Sequence, residues 1–339
     1  MKNFKSITGL KGIAILLIVL VHTMANGNFS IENQTVYHGI NKMSVVIELC
    51  FMLSAFGMCC GYYNKIKNGE IDLNKFYSRR YKKILPFFAI IILAEVVVSG
   101  ASSQVLKEAF LDLTLLFSFL PKGNIEVVGI GWTLGVIFAF YILFPFFVFL
   151  LWNKKRAWFT LICAEIIKVT CGYFFLNDGE IVNVNFMLWS TYFIIGGIIF
   201  LYKDLIIKNI SRPRFLLLGI ASLGIGFDIF NLYQWNNLRL DELLMIVVFV
   251  VIIAYAITGK SFLLDNKVSQ IIGKHCLEIY LSHMMVFRVI EKMPIKSFMG
   301  NGYLALSCTY ILTCIATIAF SICASSIISK IGKMINEKN

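Results

Sequence analysis

The chain has 339 residues, of which 58% are hydrophobic and 15% charged, with a mean hydropathy of +0.79. Soluble domains carry about a quarter charged residues, so this composition excludes a soluble globular protein and predicts one embedded in a membrane. The net charge of +12 is spread over short loops between apolar runs, which is typical of cations that set membrane topology and not of a nucleic-acid-binding surface.

Ten apolar runs have about the length needed to span a bilayer, roughly 20 residues. They cover about 8–27, 43–63, 84–100, 131–151, 157–176, 186–202, 215–233, 243–258, 275–290 and 303–328. We therefore predict an all-α polytopic membrane protein with about ten transmembrane helices. The chain, residues 1–339, is expected to form a single transmembrane domain without an appended soluble domain. The amphiphilic segment from Ala109 to Leu120 is predicted to be interfacial or re-entrant.

The distribution of cations predicts the orientation. With the N-terminus inside, the inner segments hold 23 lysines and arginines and the outer loops hold 7, so both termini should face the cytoplasm. Lys2 and Lys5 before the first apolar run could also indicate a signal peptide. We favour an uncleaved first helix, because cleavage would discard the pair of ionisable residues described next.

The first predicted helix carries Lys11 and, eleven residues later, His22. Eleven residues make almost three helical turns, so the two lie on nearly the same face, about 16 Å apart along the axis. Ionisable groups inside a membrane helix cost free energy and usually have a function. A neutral imidazole can act as a general base near pH 7. The alternative is a histidine that packs between helices, with Lys11 as an interfacial anchor.

Two further polar features follow. Glu48 lies within an apolar run, where a carboxylate is either paired or functional. Arg79, Arg80 and Lys83 open the third predicted helix. Such cations are typical of the cytoplasmic ends of membrane helices, where they set the topology. They could also bind the pyrophosphate of a nucleotide carrier, because guanidinium groups bind phosphate oxygens through paired hydrogen bonds.

Later runs add aromatic and titratable groups. Trp132 begins the fourth run at the predicted outer interface, and Tyr141 follows in the same run. Glu278, Tyr280 and His283 place three polar groups within about two turns of the ninth run, which is costly unless they face a cavity or one another. Nine cysteines lie mostly in apolar runs, without a CxxC pair or an HExxH motif. We therefore predict no metal site.

In this order, these motifs resemble the membrane acyltransferase family 3, which includes bacterial polysaccharide O-acetyltransferases. The resemblance runs from about residue 5 to 330. It is carried by Lys11-Gly12 with His22, Cys50 to Ala55, Arg80 with Lys83-Ile84 and Pro86, Trp132-Thr133-Leu134 with Phe140-Tyr141 and Pro145, and Ile272-Gly273 with Cys276, Ile279-Tyr280-Leu281 and His283. The chain departs from the common family pattern at Lys11, Ala55, Lys83, Ile137 and Cys276.

The resemblance implies an acyl-CoA-dependent O-acyltransferase of the bacterial cytoplasmic membrane. It would move an acetyl group from cytoplasmic acetyl-CoA, bound as a substrate and not as a permanent cofactor, to a sugar hydroxyl of an envelope or exported glycan. The expected catalytic residues are His22 and Glu48. The expected acyl-CoA-binding residues are Lys11, Arg79, Arg80 and Lys83, and the supporting or acceptor-side residues are Trp132, Tyr141, Glu278, Tyr280 and His283.

Several alternatives stay open at this point. His22 could be the base, with its tautomer set by Glu48 or Glu278, or it could form a covalent acyl intermediate. Buried carboxylates and histidines would also suit a proton-coupled transporter or a flippase for a polar metabolite or lipid-linked sugar. A catalytically inactive relative, with Ile137 where many members carry Glu, is a third possibility.

Overall fold

A computed structural model of the chain describes residues 4–119, 127–175, 185–210, 214–229 and 238–336. These residues form helices joined by short loops, with no β-strand among them, which agrees with the predicted all-α class. The α-helices are α1 Lys5–Asn26, α2 Gln34–Lys42, α3 Val46–Lys67, α4 Leu73–Ser99, α5 Ser103–Thr114, α6 Trp132–Leu150, α7 Lys154–Phe175, α8 Phe186–Ile210, α9 Arg214–Ile229, α10 Leu238–Thr258, α11 Phe262–Asp265, α12 Lys267–Lys274, α13 Cys276–Glu291, α14 Ile295–Met299 and α15 Tyr303–Asn336.

Each of the ten predicted runs coincides largely with a helix. Among the described residues, seven helices are long and apolar enough to cross a membrane: Lys5–Asn26, Gln34–Lys67, Gly129–Leu150, Lys154–Phe174, Phe186–Ile210, Leu240–Thr258 and Tyr303–Gly332. The other three predicted runs do not meet this criterion. Helices α9 and α13 are too short, with 16 residues each, and α4 carries charges, because its apolar part follows Lys82 and Lys83 and contains Glu95. The multi-pass character is thus confirmed, whereas the count of ten and the orientation stay predictions.

The segment between α4 and α6 contains an unusual acid. This segment forms the 12-residue helix α5 and a 3-10 turn at Phe117–Phe119, while Leu120 lies outside the described residues. Asp112 of α5 is fully buried, and neither of its carboxylate oxygens has a hydrogen-bond partner in the described part of the chain. Burial, and secondarily the charge of Glu108, raise the pKa of Asp112 to about 7.

The helices group into two compact units. The first unit comprises the described residues within 51–201 and 327–336, and the second unit comprises those within 4–50 and 202–326. In the first unit, fully buried aromatic rings join α3, α6 and α8. Phe140 stacks on Phe193 with ring centroids 4.2 Å apart, and Phe51 lies 5.1 Å from Phe193.

In the second unit, α1 and the α11–α12 segment touch through glycines. A Cβ atom on Gly9 would overlap the carbonyl oxygen of Leu264, and one on Gly273 would overlap that of Thr8. A Cβ atom on Gly12 would lie 2.7 Å from the carbonyl oxygen of Ser269. Small residues allow helix backbones to approach this closely. The glycines of the first and last sequence motifs therefore pack their two segments together.

Candidate active site

Two histidines meet in the second unit. His22 near the end of α1 and His283 in the middle of α13 have ring centroids 5.1 Å apart and ring planes at 66°, an edge-on contact. His283 is 1% exposed, whereas His22 is half-buried. The fold thus brings together two residues that were predicted separately, the proposed base and a supporting residue.

The hydrogen bonding of His283 fixes its tautomer. Its Nδ1 lies 2.6 Å from the carbonyl oxygen of Tyr280 in the same helix. A carbonyl oxygen only accepts hydrogen bonds, so Nδ1 carries the proton and Nε2 holds a lone pair. This Nε2 is buried and has no hydrogen-bond partner among the residues that the structure describes. A buried acceptor of this kind is costly unless a ligand, a water or a neighbouring N–H satisfies it.

Hydrogen bonds from α15 help to hold α1 and α13 in place. The Tyr310 hydroxyl donates to the carbonyl oxygen of Leu16, at 3.2 Å, one and a half turns before the histidine of α1. The Ser321 hydroxyl lies 3.3 Å from the Ser282 hydroxyl, next to the histidine of α13. Both serines are fully buried. α15 thus contacts both helices that carry the histidine pair.

Both predicted carboxylates belong to the second unit, which includes α13 and only residues 46–50 of α3. Glu48 is in the first turn of α3 and Glu278 in the first turn of α13. Glu278 Oε2 is buried and makes no hydrogen bond to any described residue. The tautomer-setting role of either carboxylate stays a prediction, since the ring contact shown for His22 is with His283. Lys11 is half-buried on α1, where the adjacent Gly12 meets α12.

In the first unit, Arg80 is surrounded by aromatic rings. Its guanidinium donates to the Tyr62 hydroxyl at 2.7 Å and lies 5.1 Å, 5.5 Å and 5.8 Å from the ring centroids of Tyr62, Tyr141 and Phe76. Its Nε is buried without a hydrogen-bond partner in the described chain. Tyr141, predicted as a supporting residue, thus contacts the cation. The site holds a partly desolvated positive charge with a donor still to be satisfied, which suits an anionic ligand.

The other predicted cations of α4 lie near Arg80 along the same helix. Arg79 and Lys83 are exposed and separated by four residues, and Arg80 and Lys83 by three. Residues with these spacings are neighbours on a helix surface. The basic segment is therefore one positive surface with the half-buried guanidinium of Arg80 and the exposed cations of Arg79 and Lys83.

Two aromatic residues of the first unit were missed by the sequence reasoning. Trp189 of α8 lies beside Trp132, with ring centroids 5.2 Å apart, and Phe51 contacts both indoles. Tyr62 of α3 binds Arg80. An aromatic residue in an apolar run normally indicates core or membrane interface, so no local signal separates these residues from the other aromatic side chains.

No group of three or more metal-binding side chains occurs among the described residues. A family model described as "Acyltransferase domain" matches residues 4–326. Neither the curated proteins nor the solved structures contain a match to the chain. The matched range includes all eleven candidate site residues and agrees with the family that the motifs indicated.

Proposed function

Because the chain belongs to acyltransferase family 3, we propose that it transfers an acetyl group from cytoplasmic acetyl-CoA to a sugar hydroxyl of an envelope or exported glycan. Its family and its several apolar helices make it a membrane acyltransferase; the donor and the acceptor are the proposed part. The observation that carries the proposal is the contact between His22 and His283, whose Nε2 is a buried acceptor.

In the proposed reaction, His22 takes the proton of the acceptor hydroxyl. The hydroxyl oxygen attacks the thioester carbonyl carbon, a new C–O ester bond forms and the C–S bond breaks. The leaving thiolate of CoA receives the proton from the imidazolium. General-base catalysis of this kind typically contributes 10²- to 10⁴-fold in rate. A covalent acyl-His22 intermediate is the alternative, and rapid acid quenching with labelled acetyl-CoA would detect it.

His283 is proposed as the residue that positions His22. Its Nε2 can accept a hydrogen bond from one N–H of His22, after a small ring rotation or through a water. The second ring nitrogen of His22 then keeps its lone pair for the substrate proton. As His22 becomes an imidazolium, this hydrogen bond becomes charge-assisted and strengthens, so it would favour the transition state over the ground state.

For the donor, we propose that Arg79, Arg80 and Lys83 of the first unit bind the phosphates of CoA; a CoA-binding role for Lys11, in the second unit, stays a prediction from the sequence. The buried, unpartnered Nε of Arg80 supports this assignment, because a phosphate oxygen would satisfy it. Glu48 or Glu278 is proposed to help set the tautomer of His22. The partly exposed Trp132–Trp189 pair, whose ring planes are tilted by 33°, is proposed as an aromatic surface on the acceptor side.

The catalytic part of the proposal is tested with His22→Ala in the full-length protein, reconstituted in lipid nanodiscs with labelled acetyl-CoA. Hydrolysis of the thioester, and transfer to added glycan, should both be lost while the protein remains folded. His38→Ala is the matched control, since His38 is an exposed histidine of α2. Turnover that persists in His22→Ala would remove His22 from the mechanism.

The donor part is tested by measuring acetyl-CoA affinity. Arg80→Ala should weaken binding by about 10- to 150-fold, the value of one hydrogen bond to a charged group. Lys82→Ala removes a neighbouring exposed cation that the proposal does not use, and it should change affinity little. Equal affinities in both variants and the unchanged protein would contradict the proposal and indicate that the basic segment only sets membrane topology.

A further inference from the structure

A second candidate site is a partly open cavity lined by α6, α7 and α8 of the first unit. Its volume is about 440 Å³, within the range of small-molecule sites. Apolar side chains form most of its wall, including Phe147 of α6, Phe159 and Ala164 of α7, and Phe193 of α8. No residue proposed for catalysis or for acyl-CoA binding lines it, so the cavity is distinct from the proposed active site.

The hydroxyl groups that line the cavity are already used by the helices. The Thr160 hydroxyl donates to the carbonyl oxygens of Arg156 at 2.9 Å and Leu150 at 3.2 Å. The Ser190 hydroxyl donates to the carbonyl oxygen of Met187 at 2.8 Å. Because these donors are engaged, the interior presents mainly carbon surface, which suits an alkyl chain better than a sugar or a nucleotide.

The depth of the cavity matches one leaflet of a bilayer. On α7 it extends from Arg156 to Ile167, eleven residues or about 16 Å along the helix axis. Half of the hydrocarbon core is about 15 Å. Phe159, Ile162 and Ile166 of α7 are 58% to 67% exposed, so this helix borders lipid, and an acyl chain could enter from the side.

A cation lies at one end of the cavity. The guanidinium of Arg156 packs over the ring of Phe149, with 3.8 Å between its central carbon and the ring centroid, which restricts its orientation. Lys154 and Lys155 precede it and are exposed. A planar guanidinium binds phosphate oxygens through two parallel hydrogen bonds. An anionic headgroup therefore fits this end, directly beside the apolar interior.

We propose that this cavity binds one acyl chain of an anionic glycerophospholipid, with the lipid phosphate held by Arg156. The apolar, one-leaflet-deep interior matches the chain, and the stacked guanidinium matches the phosphate. The three successive cations at residues 154–156 disfavour the ammonium group of a zwitterionic headgroup. The site selects its lipid by charge and not by apolar contact alone.

The experiment uses the full-length protein in nanodiscs that contain equal amounts of phosphatidylglycerol and phosphatidylcholine with identical acyl chains. Native mass spectrometry then counts the lipids that stay bound. The unchanged protein should retain phosphatidylglycerol preferentially, and Arg156→Gln should reduce that preference about tenfold. Arg156→Lys should keep part of it. Lys155→Gln is the matched control, because it removes an adjacent charge that does not line the cavity, and it should change retention less than twofold.

A second variant tests the cavity itself. Ala164 is 7% exposed and lies in the wall, so Ala164→Leu should reduce phosphatidylglycerol retention although Arg156 is intact. Equal retention of both lipids by the unchanged protein would overturn the proposal, as would a preference that survives Arg156→Gln. Retention of a polyprenyl phosphate in place of phosphatidylglycerol would also overturn it.

Discussion

Replacing His283 by asparagine tests the roles of its two ring nitrogens separately. An asparagine amide can take the place of Nδ1 and still donate to the carbonyl oxygen of Tyr280, 2.6 Å from Nδ1 in the native protein. It has nothing at the position of Nε2. The change therefore removes the acceptor beside His22 and preserves the bond within α13. Glutamine does the reverse, because its terminal oxygen reaches toward Nε2 while the bond to Tyr280 is lost.

The expected loss follows from the chemistry of that one contact. A hydrogen bond to a charged group contributes about 1.5–3 kcal/mol, and the bond matters most when His22 is an imidazolium. His283→Asn should therefore lower kcat by about 10- to 150-fold with little effect on KM for the donor. His283→Gln should retain more activity than His283→Asn, although it loses more of the helix-internal hydrogen bonding.

The assay is thioester turnover by protein in nanodiscs, measured as a pH–rate profile together with a thermal melt. A purely structural role for His283 would lower the melting temperature in both variants and leave the shape of the pH profile unchanged. A His283→Asn protein with unaltered kcat and an unaltered profile would refute the positioning role. The edge-on contact with His22 would then be only packing.

Three further predictions concern packing, burial and the basic segment. Gly273→Ala should destabilise the protein by at least about 1–3 kcal/mol, because its new methyl group overlaps a backbone oxygen that cannot rotate away. Asp112→Asn should raise the melting temperature at pH 8 but not at pH 4. The folded-state pKa of Asp112, about 7, exceeds its unfolded value of 3.8, so burying the carboxylate costs up to about 4 kcal/mol above pH 7. Tyr62→Phe should weaken acetyl-CoA binding about fivefold, because the guanidinium of Arg80 loses the hydroxyl that orients it.

Each of these predictions has its own control. Outside its own helix backbone, no atom of the described residues lies within 4 Å of the position that a methyl group on Gly61 of α3 would take, so Gly61→Ala should leave stability unchanged or raise it. An equal loss of stability in both glycine variants would contradict the packing argument. For Asp112, wild-type stability should fall as pH rises from about 4 to 7, because the unfolded chain releases the proton first. A difference in melting temperature between Asp112→Asn and the wild type that does not change with pH would contradict this prediction. Unchanged affinity in Tyr62→Phe would show that Arg80 is oriented by the rings alone.

The general architecture could be predicted because membrane helices leave a strong local signal. Apolar runs predicted the helices, and the eleven-residue spacing of Lys11 and His22 predicted that both lie on nearly the same helix face. The partner of His22 could not be predicted in this way. His283 lies 261 residues later in the chain, and which faces of α1 and α13 meet depends on the glycine contacts of α1 with α12, which periodicity does not reveal.

The environment of a polar residue was equally inaccessible from local patterns. Asp112 lies in an amphiphilic segment whose polar residues would be expected to face water, yet its side chain is fully buried. Arg80 was predicted as one of several similar cations, and only the fold distinguishes it, through Tyr62 and Tyr141. Burial depends on what packs against a helix, and that information is distributed over distant parts of the sequence.

The glycine contacts also have a consequence for biosynthesis. Gly12 leaves the ribosome 261 residues before Gly273, whose backbone it meets in the finished protein. At roughly 5–20 residues per second, that interval is about 13–52 s. During this interval the first helix lies in the bilayer before its final neighbour has been synthesised. The surface formed by Gly9 and Gly12 must therefore remain unoccupied until the late helices are inserted.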